Sequence, residues 1–184
     1  SKHNSEFPLD VFQTGSGTSS NMNANEVIAN LASRFSGIEV DPNDDVNMSQ
    51  SSNDVIPTAI KISAYKDLTE KLYPALEKLI REIEKKESSL KGIVKTGRTH
   101  LMDAMPLDIS QEFSAWSSQL KNVKKTLVFL EKRLLEMPLG GTAVGTGINA
   151  HPRFAKNFAK ELSLLIGGKC KATSSDNFFH ELSS

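Results

Sequence analysis

At 184 residues, 38% hydrophobic and 24% charged, the chain is long enough for one sizeable packed domain and has the composition of an ordinary soluble protein. Its 22 Lys and Arg balance 22 Asp and Glu, which excludes the basic excess that a nucleic-acid or anionic-membrane surface requires, so any ligand must be recognised locally. The single cysteine, Cys170, excludes an internal disulfide or a Cys-based zinc site, fits a reducing compartment and reads as a small filler.

Residues 1–22 are polar and glycine-rich, with one apolar patch at Phe7, Leu9, Val11 and Phe12 that predicts loop and a brief strand. Asn23 followed by Glu26 has the form of a capping box. Val27, Ile28, Leu31, Ala32 and Phe35 then mark a helical face that should stop near Gly37. Residues 41–54 read as a polar loop whose Asn and Asp favour turns. Leu68, Leu72, Leu76, Leu79, Ile80 and Ile83 recur at helical spacing and predict a long helix that Pro74 is placed to kink. "KTGRTHLMDAMP" reads as loop. From Ile109 through Phe113, Trp116, Leu120, Val123, Leu127, Leu130 and Leu134, steps of four and three alternate without a miss, the seam of a bundle or coiled coil running nearly to Pro138. A glycine-rich loop, "LGGTAVGTGIN", precedes another amphipathic helix that opens after Pro152 and is marked by Phe154, Phe158, Leu162 and Leu165. A further helix start reads at Ser174, Ser175 and Asp176. Long helices with such a seam must pack on each other or on other subunits, so the expected fold is an all-α long-helix bundle, preceded by a loop-rich, partly helical N-terminal segment.

No apolar run approaches the roughly 20 residues of a membrane span, and the first residues lack the order of a signal peptide, so the expected place is the cytoplasm. The missing initial Met and the stop after "NFFHELSS" read as those of a fragment.

Three loops share a chemistry of neutral hydrogen-bond donors. Thr14, Ser16, Thr18, Ser19, Ser20 and Asn21 form the first; Ser49, Gln50, Ser51, Ser52 and Asn53 the second; Thr96, Arg98, Thr99 and His100 the third. Each is expected at or near a helix start, where free backbone N–H groups and the helix dipole favour an anion. Such donors suit a small carboxylate whose charge grows during a reaction. His100, inside one cluster, is suited to proton exchange at neutral pH. The same residue types also build ordinary caps and turns, and His100 alone could be a satisfied structural histidine. "TGSGTSS" lacks the Gly-Lys-Ser/Thr ending of a phosphate loop, and the carboxylates of "DPNDD" lack calcium-loop spacing. His3, His151 and His180 are scattered and suggest no metal site.

Together, "TGSGTSSNMNANEV", "NDDVNMSQSSNDVIPTA", "GRTHLMDAMPLDISQEF" and "LGGTAVGTGIN", in that order between long helices, resemble the class II fumarate hydratases of the aspartase/fumarase superfamily. The resemblance runs from about Asp10 to the C-terminus. It implies reversible hydration of fumarate to L-malate in the tricarboxylic acid cycle, no metal or organic cofactor, and a homotetramer whose active sites each draw on three subunits. It also implies that residues 1–50 end an N-terminal domain with a substrate-binding loop and that 51–184 form part of a central helical bundle domain. By position, Ser16, Gly17 and Thr18 resemble substrate contacts of the first loop, Ser51, Ser52 and Asn53 those of the second, and Thr99 those of the third. His100 is similar to the family residue that takes part in proton transfer through a bound water. Aspartate ammonia-lyases usually carry glutamine at the position of His100 and threonine at that of Ser52. That difference separates this reading from its alternatives, another superfamily lyase or a noncatalytic helical assembly fragment.

Three features depart from the family pattern. The flexible loop of form G-S-S-x-M-P-x-K-x-N-P, which supplies a serine base and a lysine, is not among these residues, so the 184-residue chain alone is expected to be inactive. Asp41 stands where fumarases commonly have histidine in a secondary dicarboxylate site with Asn43 and Asp44, and its negative charge is expected to repel a dicarboxylate. The segment from Gly37 to Asp41 is also shorter than usual for the family.

Overall fold

The computed structural model describes residues 3–10, 12–13 and 17–173. It is mostly helical, and it divides into two compact units: residues 1–63 together with 134–184, and residues 64–133. The expected helix start at Ser174 lies outside the described residues, as does Val11 of the expected N-terminal strand. The other residues of that patch, Phe7, Leu9 and Phe12, lie in no strand, and a 3-10 turn, Asn4–Glu6, precedes them.

In the first unit, helix α1 covers Thr18–Ser36 and ends at Gly37 in left-handed backbone, φ 71°, as expected. It begins six residues earlier than the Asn23 cap predicted, with Gly17 rather than Asn23 as its cap. Gly17, at φ 68°, turns the chain into the helix, and a Cβ there would lie 2.8 Å from a side-chain carbon of Ile56, so the turn is open only to glycine. Asn23 sits inside the helix and donates to the Glu6 carbonyl at 3.0 Å. The buried face of α1 also differs from the expected one. Asn21, Asn25, Val27 and Ala29 are buried, while Ile28 and Phe35 are exposed. The two asparagines are satisfied because both donate to the Asn47 side-chain oxygen, at 3.2 and 3.0 Å. This amide cluster ties α1 to the loop before α2, Ser52–Asp67. A π turn, Pro42–Val46, interrupts that loop.

Two short strands, β3 at Glu136–Met137 and β4 at Lys171–Ala172, pair in parallel, and α5, Phe154–Ile166, lies between them in sequence. The core of this unit includes Met137, Pro138, Leu139, Ala159 and Leu162. Leu165, expected on the apolar face of α5, is 82% exposed. Cys170 is half-buried, consistent with a filler, and burial pushes its thiol pKa up.

The second unit holds α3, Tyr73–Ser89, and α4, Ile109–Leu134, the latter opening at Ile109 as its periodicity predicts and ending with the last seam residue, short of the expected reach toward Pro138. A π turn, Leu68–Leu72, leads into α3, and Pro74 occupies its first turn. The distortion expected at Pro74 is therefore real and falls on the turn before it, because Pro74 has no N–H for the carbonyl four residues back. Leu76 and Ile80 are buried on α3. Facing polar residues join the two helices: Lys121 pairs with Glu84 at 2.5 Å, Lys124 pairs with Glu77, and Tyr73 donates to Glu131 at 3.0 Å. The segment expected to be loop around residues 95–106 is instead an antiparallel hairpin of β1, Val94–Thr99, and β2, Met102–Asp108, with an irregularity between Thr96 and Arg98. Lys95 clasps Glu112 at 2.8 Å and fixes the hairpin to α4.

Candidate functional site

Two of the three donor loops meet in the first unit. The Thr18 hydroxyl at the start of α1 lies 3.1 Å from the Ser52 hydroxyl at the start of α2. Gly17 sits beside Thr18, and Ser51 and Asn53 flank Ser52. Ser16, together with Thr14, lies outside the described residues. The N-terminus of α2 is built by a capping box: the Ser51 hydroxyl accepts from the Asn53 amide at 3.2 Å, and Asp54 accepts from the Ser51 amide at 3.0 Å. Two helix starts thus bring hydroxyls and backbone N–H groups together, as an anion needs. Asn53 is partly committed, since its side-chain N–H donates to the Ala143 carbonyl at 3.0 Å. Asn21, counted in the first donor loop, is used up in the buried amide cluster.

The third cluster has another setting. His100 and Leu101 form the hairpin turn in left-handed backbone, φ 47° and 60°, and His100 and Thr99 are both exposed. Ile109 opens α4 well beyond them, so this cluster does not sit at a helix N-terminus as expected. Arg98, within it, is paired with Asp103 at 3.1 Å. Thr99 and His100 belong to the second unit, the other two clusters to the first.

Asp41 accepts from the amides of Asn43 and Asp44, each at 2.7 Å, and so caps the turn that carries both residues. Three carboxylates, Asp41, Asp44 and Asp45, share that turn. No group of His, Cys, Asp and Glu suited to a metal ion occurs among the described residues.

The sequence reading missed Asp54, Thr58 and Thr142. Asp54 is fully buried, and its second carboxylate oxygen accepts from the amides of Gly140 at 3.0 Å and Thr142 at 2.8 Å. One turn further along α2, the buried Thr58 hydroxyl accepts from the Leu139 amide at 3.1 Å. Desolvation raises the Asp54 pKa, against the backbone N–H bonds from Ser51, Gly140 and Thr142 that lower it. The glycine-rich loop is thereby fastened to α2. Gly140, at φ 106°, allows the loop to press on α5, where a Cβ would collide with Ala155. Ser49, Gln50, Ser51, Thr142, Ala143, Ile148 and Asn149 line a cleft of about 250 Å³. Three of them, Ser49, Thr142 and Asn149, hold left-handed backbone with φ of 65°, 58° and 64°. For a β-branched threonine this conformation is strained, and such strain gathers at functional sites. The Thr142 hydroxyl oxygen is also buried without a hydrogen-bond partner. The S-x-x-D spacing of Ser51 and Asp54 was the available sequence signal; the partners of Asp54, 86 and 88 residues away, gave none.

A family described as Lyase matches residues 1–184. The chain is 57% identical over 166 residues to a class II fumarate hydratase of Xylella fastidiosa, covering 90% of this chain and 35% of the relative. It is 51% identical over 189 residues to that of Campylobacter jejuni, covering all of this chain and 40% of the relative. It therefore spans well under half the length of these relatives. Among solved structures, a class II fumarase from Schistosoma mansoni superposes with a TM-score of 0.85 at 39% identity, over 89% of this chain and 36% of that one. A fumarate lyase:delta crystallin from Brucella melitensis gives 0.83 at 45% identity, over 90% and 37%. These neighbours share the all-α helical bundle seen here, and the chain belongs to the lyase family.

Proposed function

We propose that these residues form part of a class II fumarate hydratase that interconverts fumarate and L-malate, works in the tricarboxylic acid cycle of the cytoplasm and assembles as a homotetramer with active sites shared between subunits. In this reading residues 1–50 close the N-terminal domain and 51–184 contribute to the central bundle. The observation that carries the reading is the meeting of Thr18 with Ser52 at 3.1 Å, where two helix starts converge beside Gly17, Ser51 and Asn53. The names of the relatives give the substrate. When a proton leaves the substrate carbon, the neighbouring carboxylate becomes an aci-carboxylate dianion, and fixed neutral donors stabilise that added charge without reorganising. Thr99 is a further substrate donor, and His100 moves a proton through a bound water.

Hydroxyls, amides and an imidazole suit a departing hydroxyl that must be protonated as it leaves. A departing ammonium would call for a carboxylate or several acceptors. In a full-length enzyme carrying these residues, L-malate is expected to yield fumarate, followed by its ultraviolet absorbance, and L-aspartate to yield far less at matched enzyme concentration. A higher kcat/KM for aspartate would overturn the hydratase reading and leave the lyase family intact.

A further inference from the structure

Asp54 is the only carboxylate buried among the described residues. A helix cap requires only the bond from the Ser51 amide to one of its oxygens. The other oxygen collects two amides from the glycine-rich loop, those of Gly140 and Thr142. Ser51 and Thr142 both line the same cleft, so one carboxylate grips the two chain segments that form it. Thr58 and Asn53, on the same stretch of α2, add bonds to Leu139 and Ala143 on either side of that grip. The loop is therefore registered against Ser51, Ser52 and Asn53 at four points, and a loop so held can keep Thr142 in its left-handed backbone.

We propose that Asp54 is a positioning residue for the hydration: by holding Ser51 with one oxygen and the 140–142 loop with the other, it sets the spacing at which the donors of this cleft meet a dicarboxylate. The proposal rests on the hydratase reading. It assigns Asp54 no contact with substrate. An asparagine here keeps one acceptor oxygen and sets a donor NH2 against either the Ser51 amide or the amides of Gly140 and Thr142, so one side of the grip opens, and a misplacement near 1 Å costs on the order of 10²-fold in rate.

The test compares Asp54→Asn and Asp54→Glu with the unsubstituted sequence in a full-length enzyme carrying these residues. Asp54→Asn is expected to speed hydrogen exchange at the Ser51 amide or at the Gly140 and Thr142 amides, whichever side meets the NH2, and to lower kcat/KM for L-malate about 10²-fold, raising KM as well as lowering kcat. Partial unfolding alone would lower apparent kcat and leave KM unchanged. Asp54→Glu keeps the charge and displaces it by one methylene, so it should lose activity with helical circular dichroism unchanged; if the asparagine variant fails to fold, this variant decides. Freed amides with kcat/KM within twofold of the unsubstituted enzyme, in either folded variant, would overturn the positioning role. Absence of turnover in the unsubstituted enzyme would instead overturn the hydratase reading, and the positioning role with it.

Discussion

At Asp41 one carboxylate oxygen accepts from two amides, those of Asn43 and Asp44, while the Asp41 amide donates to Asp45 at 2.8 Å. The turn is thus stabilised from both ends by aspartates, at the expense of a concentrated negative charge. A histidine ring at this position could accept at most one of the two amides and would remove one like charge. Asp41→His is therefore expected to act in two opposed ways. It should lower stability by about 1 kcal/mol, as lost caps do, with faster hydrogen exchange at the Asn43 and Asp44 amides. It should also raise dicarboxylate occupancy beside this turn in malate-soaked crystals. Equal occupancy in both forms would show that the residue governs only the turn. The same side chain chemistry has another meaning at Asp54, where a buried carboxylate with raised pKa receives three amides and no cation pairs with it among the described residues.

Helices α3 and α4 show what can be read from a pattern. The seam of α4 marked its start and most of its length because eight apolar positions at strict spacing leave no other period, and Pro74 marked a break that Pro57, inside α2, does not make. The start of α1 was hidden, since its true cap is a glycine in left-handed backbone and part of its buried face is amide rather than apolar. The hairpin of β1 and β2 was hidden too. Most of its residues are exposed in this chain, so no alternation marks the strands, and its turn uses His100 and Leu101 rather than glycine. At the site, the hydroxyl and amide clusters were legible because they are local. The Asp54 clamp was not, because it joins residues more than 80 apart. Between α3 and α4, partial burial and the Glu131 carboxylate push the Tyr73 pKa up to about 12. A raised tyrosine pKa means that the folded state favours the neutral phenol. Its contribution is complete below the unfolded value near 10 and is lost as pH rises through about 12. Tyr73→Phe should therefore cost about 1 kcal/mol near neutral pH and flatten the fall in melting temperature between pH 10 and about 12. An unchanged alkaline profile would remove Tyr73 as its source.

For the molecule as a whole, the α4 seam poses the question of what covers it. Trp116, Val123 and Leu130 are 47%, 51% and 45% exposed, and Phe129 beside them is 71% exposed, more apolar surface along one helix than a lone chain keeps bare without use. The homotetramer proposed above would supply the cover by setting copies of this helix side by side. That assembly has a kinetic consequence as well as a structural one. If each active site draws the Ser51–Asn53 donors from one subunit and His100 from another, two differently damaged enzymes can repair each other. His100→Asn and Ser52→Ala, each made in a full-length enzyme carrying these residues, should lower kcat by on the order of 10²–10⁴-fold and 10²–10³-fold respectively. Unfolding the two together and refolding the mixture should return a fraction of the sites to unsubstituted composition, since some interfaces then bring an intact Ser52 to an intact His100. Activity well above the sum of the two variants refolded separately is the expected result. A mixture no more active than that sum would mean that Ser52 and His100 of a single subunit serve the same site, and the shared-site arrangement would have to be given up even if sedimentation still showed a tetramer.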